Sequence, residues 1–326
     1  MKKFRVAAVI AITFASSHPT FAEEPLTSQQ INSAEFDGPL PEGQSAVMTK
    51  LQILLDRAGA NPGVIDGVAG ENVVKAIQGY EEMHGLPATG VLTAALWAQL
   101  QSQEPVTKVY TIEPADVEKL VPSIPDDYVE KAEMEWLGYT NGAEAIAEKF
   151  HMDKDFLAAL NPGATFTVGE SVLVADPGAP PTIEVTRIVA DKANRRLVVY
   201  GDGGKPYIIY PATIGSEATP SPEGTHEVRA IAEFPTYAYH PDVNFQQAEN
   251  TEKLTIPAGP NGPVGSTWID LTEPTYGIHG TPEPAQISKT SSHGCIRLTN
   301  WDAAELAKLV KSGVTVTFVE GLTSLY

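Results

Sequence analysis

The chain has 326 residues, 42% of them hydrophobic, which is enough for two or three packed domains. Its 41 Asp and Glu against 22 Lys and Arg leave a net charge of -19, which makes nucleic acid and anionic lipid poor partners. It has one cysteine, Cys295, so an intramolecular disulfide is excluded and the single thiol becomes a candidate for chemistry.

At the N-terminus Lys2, Lys3 and Arg5 precede an apolar run over residues 6–15, and small residues end at Ala22. This is the layout of a signal peptide over residues 1–22, so export to the periplasm is expected. The run is too short for a hydrocarbon core that needs roughly 20 apolar residues, and no membrane span is expected elsewhere. In an oxidising compartment a lone thiol is either buried and inert or used. Ser291, Ser292, His293 and Gly294 beside Cys295 do not read as an apolar core strand, which favours use.

Residues 23–43 mix Pro, Gly, Ser and Gln without apolar periodicity and read as a flexible leader. From Ala46 to Ala58, apolar residues Val47, Leu51, Leu54, Leu55 and Ala58 recur at helical spacing, and Gly59 is a stop. Val73, Val74, Ile77 and Tyr80 give a second helix, and Thr93 caps a third with Leu96, Trp97 and Leu100. Residues 44–101, with "DGVAG" and "HGLPATG", resemble the three-helix peptidoglycan-binding module of wall enzymes. The resemblance implies docking to peptidoglycan; it departs from the family where Tyr80-Glu81 replace Phe-Gln.

A connector over residues 102–127, rich in Pro and acid, leads to a small unit at 128–176 with two helical patterns, the turn Asn161-Pro162-Gly163 and a strand through Val172 and Val174. "LNPG" and "VGESVLVAD" resemble a lysin-motif fold, strand-helix-helix-strand, although "NGAEAI" stands where Gly-Asp-Thr-Leu is usual. His151 is expected at the surface. Residues 177–181 are a stiff proline-rich linker. Beyond them, residues 182–320 alternate apolar and polar residues around turns at 192–194 and 201–204, as in antiparallel hairpins. One helix is expected from Asp302 to Lys311, capped by Asp302 and ended at Gly313. The fold class is multidomain α+β, with small helical and mixed units ahead of a mainly β domain.

A thiol attacks as its thiolate, so Cys295 needs a base and a place for a developing oxyanion. His279 and His293 are candidates for the base. Gly294 removes a side chain where substrate approaches and lets the Gly294 and Cys295 N–H groups point at a carbonyl oxygen. Cys295, His293 and His279 also suit a zinc site by residue type, but no His-x-x-x-His spacing supports it.

"YGIHGT" followed by "SHGCIRLTNWD" resembles the signature of the L,D-transpeptidase catalytic domain, and "TPSPEGTH" and "PAGPNGPVGSTWIDL" resemble its upstream segments. The resemblance implies that Cys295 is the nucleophile, that His279 accepts and returns the proton, and that His293 shapes the turn. It implies support of the oxyanion and the ring by Gly294, Gly280 and Ser292. Gly280 stands where some members have serine, leaving a backbone carbonyl to orient His279, and Arg297 stands where others have asparagine, where a guanidinium either meets an anionic substrate group or forms a structural ion pair. No metal or cofactor is implied. The implied reaction takes tetrapeptide stems through a thioester to 3-3 cross-links. The acyl acceptor is left open: an outer-membrane protein would give a wall tether, and water would give hydrolysis to the tripeptide. A non-catalytic wall-binding scaffold is the alternative outside enzymology.

Overall fold

A computed structural model describes residues 25–216, 219–243 and 245–322; the expected signal peptide lies outside them. Helix α1 (Ser28–Asn32) is capped by Thr27 and Gln30 in a reciprocal box, and its Ile31 is fully buried. Asn32 accepts from the Val106 N–H at 2.7 Å and donates to Thr107 Oγ1 at 2.9 Å. The segment expected to be a flexible leader is therefore anchored, by Ile31 with partly buried Leu26, Phe36 and Leu40 and by the Asn32 amide, at spacings too irregular to register as periodicity.

Helices α2 (Ala46–Arg57), α3 (Glu71–Met83) and α4 (Ala94–Leu100) follow, with Ser45 and Thr93 capping α2 and α4. Tyr80 and Glu81 are both buried. The Glu81 carboxylate accepts from the N–H groups of Thr89 and Gly90 at 2.7 and 2.8 Å, so it fastens the turn before α4.

The middle unit pairs strand β1 (Thr107–Thr111) antiparallel with β2 (Ser171–Ala175). Between them lie α5 (Tyr128–Ala132), α6 (Gly142–Lys149) and α7 (Lys154–Leu160). Its strand-helix-helix-strand core thus takes its first strand from the expected connector. Only Thr107 of β1 is buried, so this edge strand carries no alternating apolar signal. Leu51, Leu55, Ile77, Met152, Phe156 and Val172 belong to one apolar core, so the N-terminal helices and the middle unit share an interior.

His151 is not at the surface as expected. Its Nδ1 lies 2.9 Å from Asp56 Oδ2 on α2, and its ring stacks on Trp301 at 5.3 Å with 9° between planes. One histidine thus touches all three units.

The catalytic unit is built on a nine-stranded sheet. Its strands are β3 (Arg187–Asp191), β4 (Arg196–Tyr200), β5 (Pro206–Pro211), β6 (Thr213–Ile214), β7 (Gly224–Glu233), β10 (Thr267–Leu271), β11 (Gly277–His279), β12 (Ile296–Arg297) and β13 (Thr315–Val319). A separate hairpin joins β8 (Tyr237–Tyr239) and β9 (Leu254–Ile256). The sheet order is β5-β4-β3-β13-β7-β10-β11-β12-β6. Long β7 joins the two halves, pairing its first residues with β13 and the rest with β10.

β5 is a sheet edge, a liability when left open. Residues 59–61 cover it: Ile209 N–H donates to Gly59 O at 2.7 Å and Asn61 N–H to Ile209 O at 2.9 Å. Gly59 is required there, because at φ +75° a Cβ would stand 2.7 Å from Tyr207 O.

Helix α8 (Asn300–Leu309) packs on the sheet and is capped by Thr299, whose Oγ1 accepts from the Asp302 N–H. Asp302 is therefore inside the first turn and is not the cap. It is buried, and its Oδ1 accepts from Asn61 Nδ2 at 2.8 Å; burial pushes its pKa up to about 7. Its sequence position fits a cap, but its side chain is committed to the N-terminal helices.

Candidate active site

Strands β11 and β12 run parallel with Ile278 opposite Ile296 and His279 opposite Arg297. Side chains alternate between faces along a strand, so His279 and Arg297 project from the same face, and Cys295, two residues before Arg297, follows them. The central partner is fully buried on the other face: Ile278 and Ile296 are both at 0% exposure. Three functional side chains are thus brought together by the pleat of one strand pair.

They line a cavity of about 460 Å³ together with His293, Trp268 and Tyr128. The turn carrying Cys295 is held from behind. Ser292 Oγ donates to Cys295 O at 2.6 Å and accepts from the Gly215 N–H at 2.7 Å, and Ser221 Oγ donates to Gly294 O at 2.7 Å. Gly294 has φ +105°, and a Cβ there would stand 2.6 Å from a Tyr276 ring carbon. Gly294→Ala is therefore expected to displace the thiol, and a displacement of that kind costs about 100-fold in turnover. Turnover close to wild type, with an unchanged melting temperature, would show that the turn tolerates a side chain.

His279 is 5% exposed and stacks on Trp268 at 5.6 Å. Its Nδ1 lies 2.7 Å from Gly280 O. A carbonyl oxygen only accepts, so Nδ1 carries the proton and Nε2 presents a lone pair. The backbone carbonyl thus fixes the tautomer without a side chain at position 280. A Cβ on Gly280 would fall 2.2 Å from Asn300 Oδ1, which explains the glycine.

Electrostatics keep thiol and imidazole neutral at rest. Burial, with help from Arg297, lowers the His279 pKa to about 4, against the opposing hydrogen bond to Gly280. Burial raises the Cys295 thiol, while the Gly277 backbone and Arg297 pull it down. Arg297 is half-buried and feels Glu283, Cys295 and Tyr128. His293 is exposed and stacks on Phe245 at 4.3 Å; burial of its ring and Arg297 lower its pKa. Among the described residues, no three His, Cys, Asp or Glu side chains converge as metal ligands.

Of the candidate site residues, Cys295, His279, His293, Ser292 and Arg297 line this cavity, Gly294 and Gly280 are chain neighbours of its lining residues, and part of the wall carries no signal in the sequence. Tyr128 of α5 meets Tyr239 and Phe245 edge-on, at 5.1 and 5.9 Å. Its N–H donates to Gln247 Oε1 at 3.3 Å, and Asp127, the α5 cap, accepts from Asn250 Nδ2 at 3.3 Å. Helix α5 therefore clamps the β8–β9 hairpin over the site. Five-residue α5 has no periodicity or motif to reveal this, and Tyr237, Phe245 and Trp268 lie in three separate segments with nothing local to link them.

A neutral thiol that shares one cavity with an imidazole lone pair, a guanidinium and a glycine-bounded turn suits acyl transfer through a thioester. Comparison with known proteins agrees with that chemistry. Residues 185–319 match the YkuD family, "L,D-transpeptidase catalytic domain", and residues 44–100 match "Putative peptidoglycan binding domain". The "Putative L,D-transpeptidase YkuD" of Bacillus subtilis (strain 168) is 30% identical over 175 residues, covering 53% of this chain and 90% of that protein. The "Probable L,D-transpeptidase YbiS" of Escherichia coli (strain K12) is 30% identical over 190 residues, covering 56% of this chain and 61% of that protein. A solved "L,D-transpeptidase from Mycobacterium smegmatis" is 22% identical, with a TM-score of 0.35, over 47% of this chain and 64% of its own. With thiol, imidazole and matched sequence all falling in the same sheet, the chain belongs to the L,D-transpeptidase family and carries a peptidoglycan-binding domain ahead of its YkuD-type catalytic domain.

Proposed function

We propose that Cys295 attacks the carbonyl at the L-centre of diaminopimelate in a tetrapeptide stem and that His279 handles the proton. The observation that carries this reading is the β11–β12 register, which turns His279, Cys295 and Arg297 into one cavity. Nε2 of His279 takes the thiol proton as sulfur bonds to the carbonyl carbon. The N–H groups of Gly294 and Cys295 receive the oxyanion. Collapse breaks the amide bond, and the imidazolium returns its proton to the departing D-alanine amine. The thioester retains the acyl group without ATP, and an acceptor amine releases it with return of the proton to sulfur. Arg297 meets a carboxylate of the stem, and His293 with Phe245 forms the rim.

An amine of a second stem as acceptor gives a 3-3 cross-link, the product we assign. The acidic surface and the module at 44–100 favour a wall substrate over nucleic acid. An outer-membrane protein amine or water entering at the same step would give tethering or the tripeptide. The site of action is the periplasm, with residues 1–22 as export signal; no helix of the described residues is long and apolar enough to cross a membrane. The pairing of β1 with β2 around α6 and α7, with α5 as an added helix, supports a lysin-motif-like role in wall contact. Incubation of the mature enzyme with a tetrapeptide muropeptide should yield a tripeptide-tetrapeptide dimer by mass spectrometry. Free tripeptide alone would replace cross-linking with hydrolysis.

The proton role makes a separate prediction. Because the His279 pKa lies at about 4, the base stays neutral and competent down to mildly acidic pH, and acylation falls as pH drops through about 4. His279→Ala should slow acylation by about 10²–10⁴-fold and remove that acid limb. The check is the pH dependence of single-turnover acylation. Loss of the limb in His293→Ala, and not in His279→Ala, would reverse the assignment.

A further inference from the structure

Between the middle unit and the catalytic sheet lies a second groove, of about 940 Å³ against about 460 Å³ for the Cys295 cavity. Trp136, Tyr139 and Lys119 come to it from the middle unit, and Phe234, Ser266 and Trp301 from the catalytic unit. Phe234 is 48% exposed at φ +45°, a left-handed conformation that a bulky aromatic rarely adopts. It is held there by its N–H bond to Ser266 O at 2.7 Å and by the Trp136 ring, 5.2 Å away. Such strain puts an aromatic face where solvent reaches it, beside a second aromatic face.

The groove adjoins the reaction pocket along the chain. Phe234 lines the groove and the next residue, Pro235, lines the Cys295 cavity; Ser266, just before β10, and Trp268 within it divide in the same way. Its charge is nearly balanced, with four lysines facing Asp116, Glu118 and Glu305, Glu148 being pushed by burial up to about 8, and Lys149–Asp116 at 2.6 Å already paired. A phosphate polymer or an anionic lipid needs a net positive lining, and a cationic peptide a net negative one. An exposed Phe234 ring beside a half-buried Trp136, with hydrogen-bonding groups of both signs, suits an uncharged, hydroxyl-rich chain with flat C–H faces.

We propose that this groove, at Trp136 and Phe234, holds the glycan strand whose stem peptide reaches Cys295. The inference rests on the reading of the Cys295 cavity as the stem-peptide site. The stem is covalently attached to its sugar, so a saccharide groove beside that cavity keeps both parts of one substrate in contact with the enzyme. The glycan then fixes which stem is presented, and the peptidoglycan-binding helices are not its only anchor.

The test uses the full-length mature chain and two probes: stem-free glycan strands from amidase-treated sacculi, and the sugar-free tetrapeptide. Hydrogen exchange of the wild type with glycan strands should show protection at residues 118–139 and 234–236. Trp136→Ala with Phe234→Ser should weaken glycan binding by about tenfold, the loss of two ring contacts. Turnover of the sugar-free tetrapeptide by that variant should stay within about twofold of wild type, since neither residue lines the Cys295 cavity. Protection confined to residues 44–100, no protection at all, or unchanged affinity in the variant would overturn the proposal. Failure of the wild type to turn over the sugar-free tetrapeptide would count against the catalytic reading and not against the groove.

Discussion

Cys295→Ala is expected to reduce transpeptidation to background, a loss of about 10⁴-fold or more, because the acyl group has no atom left to occupy. The fold should survive. The cysteine is half-buried, and its thiol makes only backbone contacts, with Gly277 and, at 3.7 Å, Thr275 O, while Ser292 holds the turn through the Cys295 backbone carbonyl. Cys295→Ser should lose nearly as much, since an alcohol is far harder to deprotonate than a thiol and a neutral His279 with a pKa of about 4 is a weak base. Initial rates on a tetrapeptide muropeptide, set beside melting curves, check both variants. Melting at the wild-type temperature with residual turnover above background in the alanine variant would remove the thioester from the mechanism.

Removal of residues 44–100 should have an effect as large for a different reason. A module that only carried the enzyme to the wall would leave turnover of a soluble tetrapeptide intact. Here the segment supplies the two backbone bonds that close the β5 edge and the Asn61 amide that satisfies buried Asp302. It also supplies half of the apolar core shared with the middle unit. Lys75 Nζ donates to Ser288 Oγ at 3.0 Å and Asn72 Nδ2 to Ile287 O at 3.2 Å, so the loop leading to Cys295 is held from the same side. The truncated chain should aggregate or melt well below the full chain, and it should lose turnover on soluble and insoluble substrates alike. A truncated chain that melts normally and processes the soluble tetrapeptide would reduce the module to a docking tag.

The difference between these two predictions follows what is legible in a sequence. The site was legible because its parts are local: a glycine-flanked cysteine, a histidine ending a strand, and segments whose order resembles one family. The helices of residues 46–100 were legible from apolar spacing, and Thr93 from its cap position. The contacts that bind the units together were not. Asn61 and Asp302 are 241 positions apart, and nothing in either neighbourhood marks the other. Asp302 looked like a helix cap because the true cap, Thr299, is an equally ordinary threonine three residues earlier. His151 looked like a surface residue because its partners, Asp56 and Trp301, belong to two other units. Strand β1 was hidden by exposure, and Tyr128 by the brevity of its helix.

The most direct test of the account is intact-mass analysis of the wild-type enzyme quenched during reaction with a tetrapeptide stem in the absence of an amine acceptor. The account predicts a covalent adduct with the mass of the stem less D-alanine, located on the peptide that contains Cys295. Release of D-alanine at the full rate, with no adduct at Cys295 at any quench time, would contradict it.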